Sequence, residues 1–315
     1  MRPAILLMGP TASGKTALAL HLVEQLPADI ISVDSGQVYR GMDIGTAKPP
    51  PAVLARAPHR LIDILDPAES YSAGRFRSDA TAAIRAIHEA GRIPLLVGGT
   101  MLYFRALESG LSDLPAADPA LRAAISMRAR RLGWAALHAE VARVDPSAAA
   151  RIHRNDAQRI QRALEVSALT GKPLSAFWQR LDGATGDLRF VKVVLAPACR
   201  ADLRARIERR FLEMIGRGFV DEVARLFARP DLHRDLPSMR AVGYRQLWDL
   251  HAGRCDRAEA IRRGIVATQR LAKRQMTWLR SETDSVKHDA LEPHLNTRIL
   301  DRVRNELDDA TARSC

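Results

Sequence analysis

The sequence predicts an α/β fold: a parallel-sheet core flanked by helices, with a helical insertion domain. Three observations carry that prediction. Short apolar runs alternate with helical stretches through the first third of the 315 residues, the first run leads straight into a glycine-rich loop, and the pattern turns helical from about residue 114. Strands separated by helices argue for a parallel sheet with both faces covered.

The elements follow in order. Ala4-Ile5-Leu6-Leu7-Met8 reads as a short buried strand. Gly9-Pro10-Thr11-Ala12-Ser13-Gly14-Lys15-Thr16 follows with the G-x-x-x-x-G-K-[ST] spacing of a phosphate-binding loop (P-loop), and residue 17 onward reads as helix. That strand–loop–helix context is what gives the motif its meaning. Glycines let successive backbone N–H groups turn inward around an anion, and the helix offers its positive end to the same charge. Lys15 adds a point charge for a terminal phosphate, and the Thr16 hydroxyl suits Mg²⁺.

Residues 29–34 read as a second strand, 60–65 as a third, and 75–90 as a helix stopped by Gly91. A further strand at 92–97 closes on Gly98-Gly99-Thr100. Ligands of such sheets sit at the carboxyl ends of strands. Lys15, Asp34 and Thr100 all lie just past strand ends, so they are expected to share one crevice.

Pro115, Asp118 and Pro119 then punctuate a linker. Helices are expected at 119–142, 146–151 and 157–170, the last stopped by Gly171. A short helical piece at 175–180 and a loop at 182–186 lead to a strand at 190–195, and 201–280 reads as helical, broken at Leu236-Pro237. The expected organisation is a core from 1–112 and 189–283, carrying a basic helical body, a helical insertion at 113–188, and a loosely structured tail at 284–315.

Composition narrows the function classes. No apolar run approaches the roughly 18 residues of a membrane span, and the N-terminus shows no signal-peptide pattern. Three separated cysteines and nine histidines without metal-ligand spacing offer no zinc site, and a reduced, cytoplasmic setting is expected, with a monomer as the default state. The net charge of +12 is uneven: residues 1–112 hold 11 basic and 10 acidic side chains, and almost all the excess lies beyond them. A neutral phosphate-loop module joined to a basic body points to a polyanionic partner, most simply nucleic acid.

Phosphate-loop hydrolases usually place a carboxylate at the end of a core strand. The strand at 92–97 ends without one, and Asp34 is the alternative acid. The segment that follows, Asp34-Ser35-Gly36-Gln37-Val38-Tyr39-Arg40-Gly41-Met42-Asp43-Ile44-Gly45-Thr46-Ala47-Lys48-Pro49, carries more information. With the loop before it, it resembles the bacterial type of the tRNA dimethylallyltransferase (tRNA isopentenyltransferase) family. Gly98-Gly99-Thr100-Met101-Leu102-Tyr103, residues 156–165, residues 206–218, residues 239–245 and residues 273–280 extend the resemblance in the same order over about 3–282.

The resemblance implies transfer of a dimethylallyl group from dimethylallyl diphosphate to N6 of the adenine just 3′ of a tRNA anticodon, with Mg²⁺ as cofactor and diphosphate released. It implies that Asp34 acts as general base and that Thr100 and Arg210 hold the reacting geometry. Gly9 to Thr16 become the diphosphate cradle. It further implies tRNA contact by Asp34, Ser35, Gly36, Gln37, Thr100 and Arg122, and by Gln158, Arg159, Ile160, Gln161 and Arg162. The same holds for Arg240, Ala241, Val242, Gly243, Tyr244 and Arg245, and for Lys273, Arg274, Gln275, Met276, Thr277, Trp278, Leu279 and Arg280. A small-molecule kinase of nucleotide-kinase type, or an RNA-binding ATPase, would also use the loop and the sheet; the kinase does not need so basic a helical body, and the ATPase would release phosphate without any prenyl donor.

Overall fold

The structure is a computed structural model that describes residues 2–112, 114–178, 188–282 and 285–312. It divides into two units, residues 1–108 with 185–315, and residues 109–184.

The larger unit is built on a six-stranded sheet in the order β3-β2-β4-β1-β5-β6, comprising β1 (Arg2–Met8), β2 (Ala28–Val33), β3 (His59–Arg60), β4 (Ile93–Gly98), β5 (Leu188–Leu195) and β6 (Val286–His288). Every pairing is parallel, as expected. β1 is central, and its side chains alternate between two cores. Ala4, Leu6 and Met8 join one buried cluster, while Ile5 and Leu7 join the other. Alternation with both faces covered is why the run reads as continuously apolar. Each of the Ile, Leu and Met side chains among them contributes about 1.5–3 kcal/mol of burial.

Helices α1 (Lys15–Gln25), α2 (Pro51–Arg56), α3 (Ala73–Glu89) and α4 (Met101–Ser109) connect the N-terminal strands. α3 starts where the Ser72 hydroxyl accepts the Arg75 N–H, and it buries Phe76, Ala80, Ala83, Ile84 and Ile87. The smaller unit holds α5 (Pro119–Leu132), α6 (Trp134–Val144), α7 (Pro146–Arg151) and α8 (Ala157–Thr170). Asp118, Asp145 and Asp156 cap α5, α7 and α8 through their side chains. After β5 come α9 (Arg200–Gly216), α10 (Phe219–Phe227), α11 (Tyr244–His251), α12 (Arg257–Arg280) and, past β6, α13 (Leu295–Ala312).

Four expectations need correction. The third strand is only two residues long, because Leu61 and Asp63 adopt positive φ (64° and 55°) and turn the chain away. Residues 63 and 65 instead bond the backbone of Gln37 and Val38. The helix expected at 119–142 is two helices, parted at Gly133, whose φ is 83°. The helical piece at 175–180 is a 3₁₀ turn at Leu174–Phe177; its end, and the loop expected at 182–186, lie outside the described residues. The tail is not loosely structured: β6 pairs with β5, and α13 buries Ile299, Leu300, Val303 and Leu307 against the cluster that holds Leu18 and Leu22 of α1. Those positions recur at helical spacing, a periodicity obscured by the intervening Arg, Asp and Glu. Among the described residues no helix is long and apolar enough to cross a membrane.

Candidate active site

The C-terminal ends of β2, β4 and β1 are neighbours in the sheet, and the segments leaving them line a cavity of about 750 Å³. The P-loop residues from Thr11 to Thr16 line it, with Asp34 to Gln37, Thr100 and, from α9, Arg210. The convergence expected for Lys15, Asp34 and Thr100 is present.

The cradle is shaped for an anion before any anion arrives. Gly14 sits at φ 92°, in the left-handed region that glycine reaches without strain, and α1 begins there with no side-chain cap. Its first N–H groups therefore lack the side-chain acceptor that caps α3. Lys15 is half-buried, and its Nζ donates to the Pro10 carbonyl at 2.6 Å. Burial, with the nearby Arg210 guanidinium, lowers its pKa to about 7 against the pull of Asp34. Burial also lowers the pKa of Arg210, with Asp34 and Glu213 opposing. Desolvated cations answered by so little negative charge favour an anionic ligand.

Asp34 is oriented by its own chain. Its Oδ1 accepts the N–H groups of Gly36 (2.8 Å) and Gln37 (3.3 Å). Thr100 Oγ1 accepts the Ser35 N–H at 3.1 Å, tying the end of β4 to the segment that carries the aspartate. Gln37 is used up inside the wall: Oε1 accepts the Ser32 hydroxyl at 2.8 Å, and Nε2 donates to the carbonyls of Thr46 and Ala47.

Glu222, which sequence reasoning did not single out, anchors the rest of that wall. It is 2% exposed, accepts the N–H groups of Asp43, Ile44 and Gly45, and accepts the Tyr244 hydroxyl. Its signal was available: it shares the inward face of α10 with Phe219, Val223 and Leu226. A carboxylate at a core position calls for partners.

The expected RNA-contacting residues of the larger unit are exposed, line the cavity or are buried, with Arg240 and Arg274 both exposed and lining. Arg240, Arg245, Lys273, Arg274, Thr277 and Arg280 are exposed on the larger unit. The Arg280 guanidinium donates to Thr277 Oγ1 at 3.0 Å, so these two side chains share one face of α12. Arg240, Ala241, Val242, Tyr244, Arg274, Gln275 and Trp278 line the cavity, though Tyr244 keeps its hydroxyl inward on Glu222. Gly36, Gly243 and Leu279 are buried, and Met276 packs against the buried Leu203, Ile207 and Ala272. Of the apolar side chains in this third set, Leu279 is core and Met276 is partly buried.

In the smaller unit, Gln158 and Arg159 are exposed, whereas Ile160 is wholly buried and serves its core. Arg122, Gln161 and Arg162 form a bonded group. Glu165, 0% exposed, accepts two bonds from Arg122 (2.8 and 2.9 Å), one from Arg162 (2.6 Å) and the Asp118 N–H. Gln161 donates to the Arg122 carbonyl and to Ser126. Burial alone would raise the Glu165 pKa; the bonds from Arg122 and Arg162 overcome it and hold the carboxyl below its usual range.

Residues 37–282 match the family described as IPP transferase. The chain is 58% identical over 312 residues to a tRNA dimethylallyltransferase of Thioalkalivibrio sulfidiphilus, covering 98% of this chain and 97% of that one. It is 62% identical over 284 residues to the tRNA dimethylallyltransferase of Alkalilimnicola ehrlichii, covering 89% and 88%. Among solved structures, a tRNA isopentenylpyrophosphate transferase from Bacillus halodurans superposes with a TM-score of 0.73 at 36% identity, covering 100% and 99%. A eukaryotic dimethylallyltransferase acting on tRNA shares the fold, with a TM-score of 0.80 at 23% identity and coverage of 98% and 80%.

Proposed function

The chain belongs to the tRNA dimethylallyltransferase (IPP transferase) family of prenyltransferases, and we propose that it moves a dimethylallyl group from dimethylallyl diphosphate to N6 of the adenine 3′-adjacent to a tRNA anticodon. The observation that carries this reading is the single cavity in which Asp34 faces the desolvated Lys15 and Arg210.

The charges follow the bonds. The allylic C–O bond breaks and its electron pair leaves with diphosphate, so negative charge grows where Lys15, Arg210 and the uncapped start of α1 can receive it. Preorganised donors of this kind contribute about 10²–10³-fold each in acyl-transfer enzymes. The adenine amine forms the new C–N bond and releases a proton, for which Asp34 is the acceptor in the same cavity. An anticodon loop lets its base leave the stack more cheaply than a duplex would. Thr100 holds Ser35, and through it the aspartate, in register with the cradle.

Thr16 stands exposed at the mouth of the cavity beside Lys15. No cluster of three or more acidic, His or Cys side chains able to hold a metal occurs among the described residues. A single hydroxyl fits Mg²⁺, which takes most of its oxygens from phosphate and water. Bound there, the ion would neutralise diphosphate charge. The reading implies a cytoplasmic enzyme with a monomer as its working state.

Incubating the protein with labelled dimethylallyl diphosphate, Mg²⁺ and unmodified tRNA tests the whole reading. Label in adenine beside the anticodon is the expected result. Unlabelled RNA together with nucleotide-dependent phosphorylation of a small acceptor would overturn it.

A further inference from the structure

Gln275 lies in the stretch of α12 whose resemblance implies RNA contact, yet its side chain points to other work. Its Oε1 accepts the Thr11 N–H at 2.9 Å, and its Nε2 donates to the Gly99 carbonyl at 2.9 Å. One amide thus closes two hydrogen bonds, one to the P-loop and one to the turn that ends in Thr100. The fit is tight from the strand side as well: a Cβ at Gly99 would stand 2.5 Å from Nε2.

The bond to Thr11 falls beside a strained residue. Ala12 holds a φ of 63°, a conformation that costs a non-glycine residue about 1–3 kcal/mol and persists only where neighbours enforce it. Met276, next to Gln275 on α12, packs against the same buried Leu203, Ile207 and Ala272 as Ala12 does, while Lys273, two residues before Gln275, is exposed. The helix therefore presents a cradle-facing side and a solvent-facing basic side within four residues. The second bond continues across the cavity: Gly99 precedes Thr100, which holds Ser35 beside Asp34.

We infer that Gln275 is a positioning residue of the diphosphate cradle, fixing the strained loop and the Thr100 turn at their working separation, and that it is not an RNA contact. The inference rests on the reading that the cradle takes a diphosphate.

The test separates two ligands on the full-length protein. Inorganic pyrophosphate with Mg²⁺ and, separately, unmodified tRNA are titrated into wild type, Gln275→Met and Lys273→Ala. Methionine keeps the volume and loses both bonds. Gln275→Met should bind pyrophosphate about tenfold more weakly, the worth of a lost hydrogen bond or two, with tRNA affinity within twofold of wild type. Lys273→Ala should show the reverse. Unchanged pyrophosphate affinity in Gln275→Met, or an equal loss of tRNA affinity, overturns the inference. Wild type that fails to bind pyrophosphate overturns the diphosphate reading itself. Should the variant not fold, hydrogen exchange at the Thr11 amide of unliganded wild type decides: protection supports the clamp, and free exchange removes it.

Discussion

The cradle and the arginine group of the helical unit are made of the same chemistry and do opposite things with it. Lys15 and Arg210 are desolvated cations held short of counter-charge, with Lys15 pushed down to about 7. Arg122 and Arg162 flank the wholly buried carboxylate of Glu165, which both bond directly. The first arrangement stores unfavourable electrostatics that a diphosphate relieves. The second is already satisfied, so its arginines are fixed in direction and their charge is partly spent. On the proposed reading, a phosphate gripped as it leaves would be met by starved cations. On the same reading, an RNA-facing surface in the smaller unit would be met by oriented ones.

Changes at four places would break or sharpen this contrast. The largest effect belongs to the acceptor facing the cations. Asp34→Ala should lower kcat by about 10²–10⁴-fold, the range of a lost general base, with pyrophosphate and tRNA binding retained; near-normal turnover would remove the aspartate from the chemistry. Next comes the stored charge on Lys15. A bound diphosphate restores its proton, so donor affinity should be greatest below pH 7 and decline as pH rises above it, by up to about tenfold per pH unit. Pyrophosphate titrations from pH 6 to 9 should show that slope in wild type and lose it in Lys15→Met. The same depressed pKa means the unfolded chain holds the proton more tightly, so unliganded stability should rise from about pH 7 to 10.5 and flatten in that variant.

The paired cluster should respond through stability. Glu165→Gln leaves Arg122 and Arg162 without their charged partner and should cost about 2 kcal/mol in urea unfolding, less than a fully buried pair because both arginines keep some solvent. Since its carboxyl is held below the usual range, wild type should lose this contribution only as pH falls beneath that range. The smallest effect is expected on the exposed face of α12. Lys273→Ala or Arg280→Ala should weaken tRNA binding modestly and reduce its salt slope by about one unit each. Unchanged affinity at low salt would place the RNA elsewhere.

Much of this architecture was legible in the sequence, and the reason is locality. The cradle, Asp34 and Thr100 each follow an apolar run, and a parallel sheet places such positions side by side whatever else the chain does. The parts that stayed hidden depend on partners far along the chain. Glu222 bonds residues 43–45, Gln275 bonds residue 11, and Glu165 bonds Arg122. Gln275 and Glu165 read locally as ordinary polar residues of a helix, and Glu222 is marked only by its place on the apolar face of α10. The tail was misjudged for a related reason: the apolar stripe of α13 becomes informative only beside Leu18 and Leu22 of α1.

α12 constrains how this protein can change over evolutionary time. Gln275 must meet Thr11 while Lys273 and Thr277 face outward. An added or deleted residue upstream in the helix turns everything after it by about 100°. Substitutions along its outer face are cheap by comparison. The 24 residues from Arg257 to Arg280 should therefore vary in composition and hold their length, with insertions confined to the turn before Asp256.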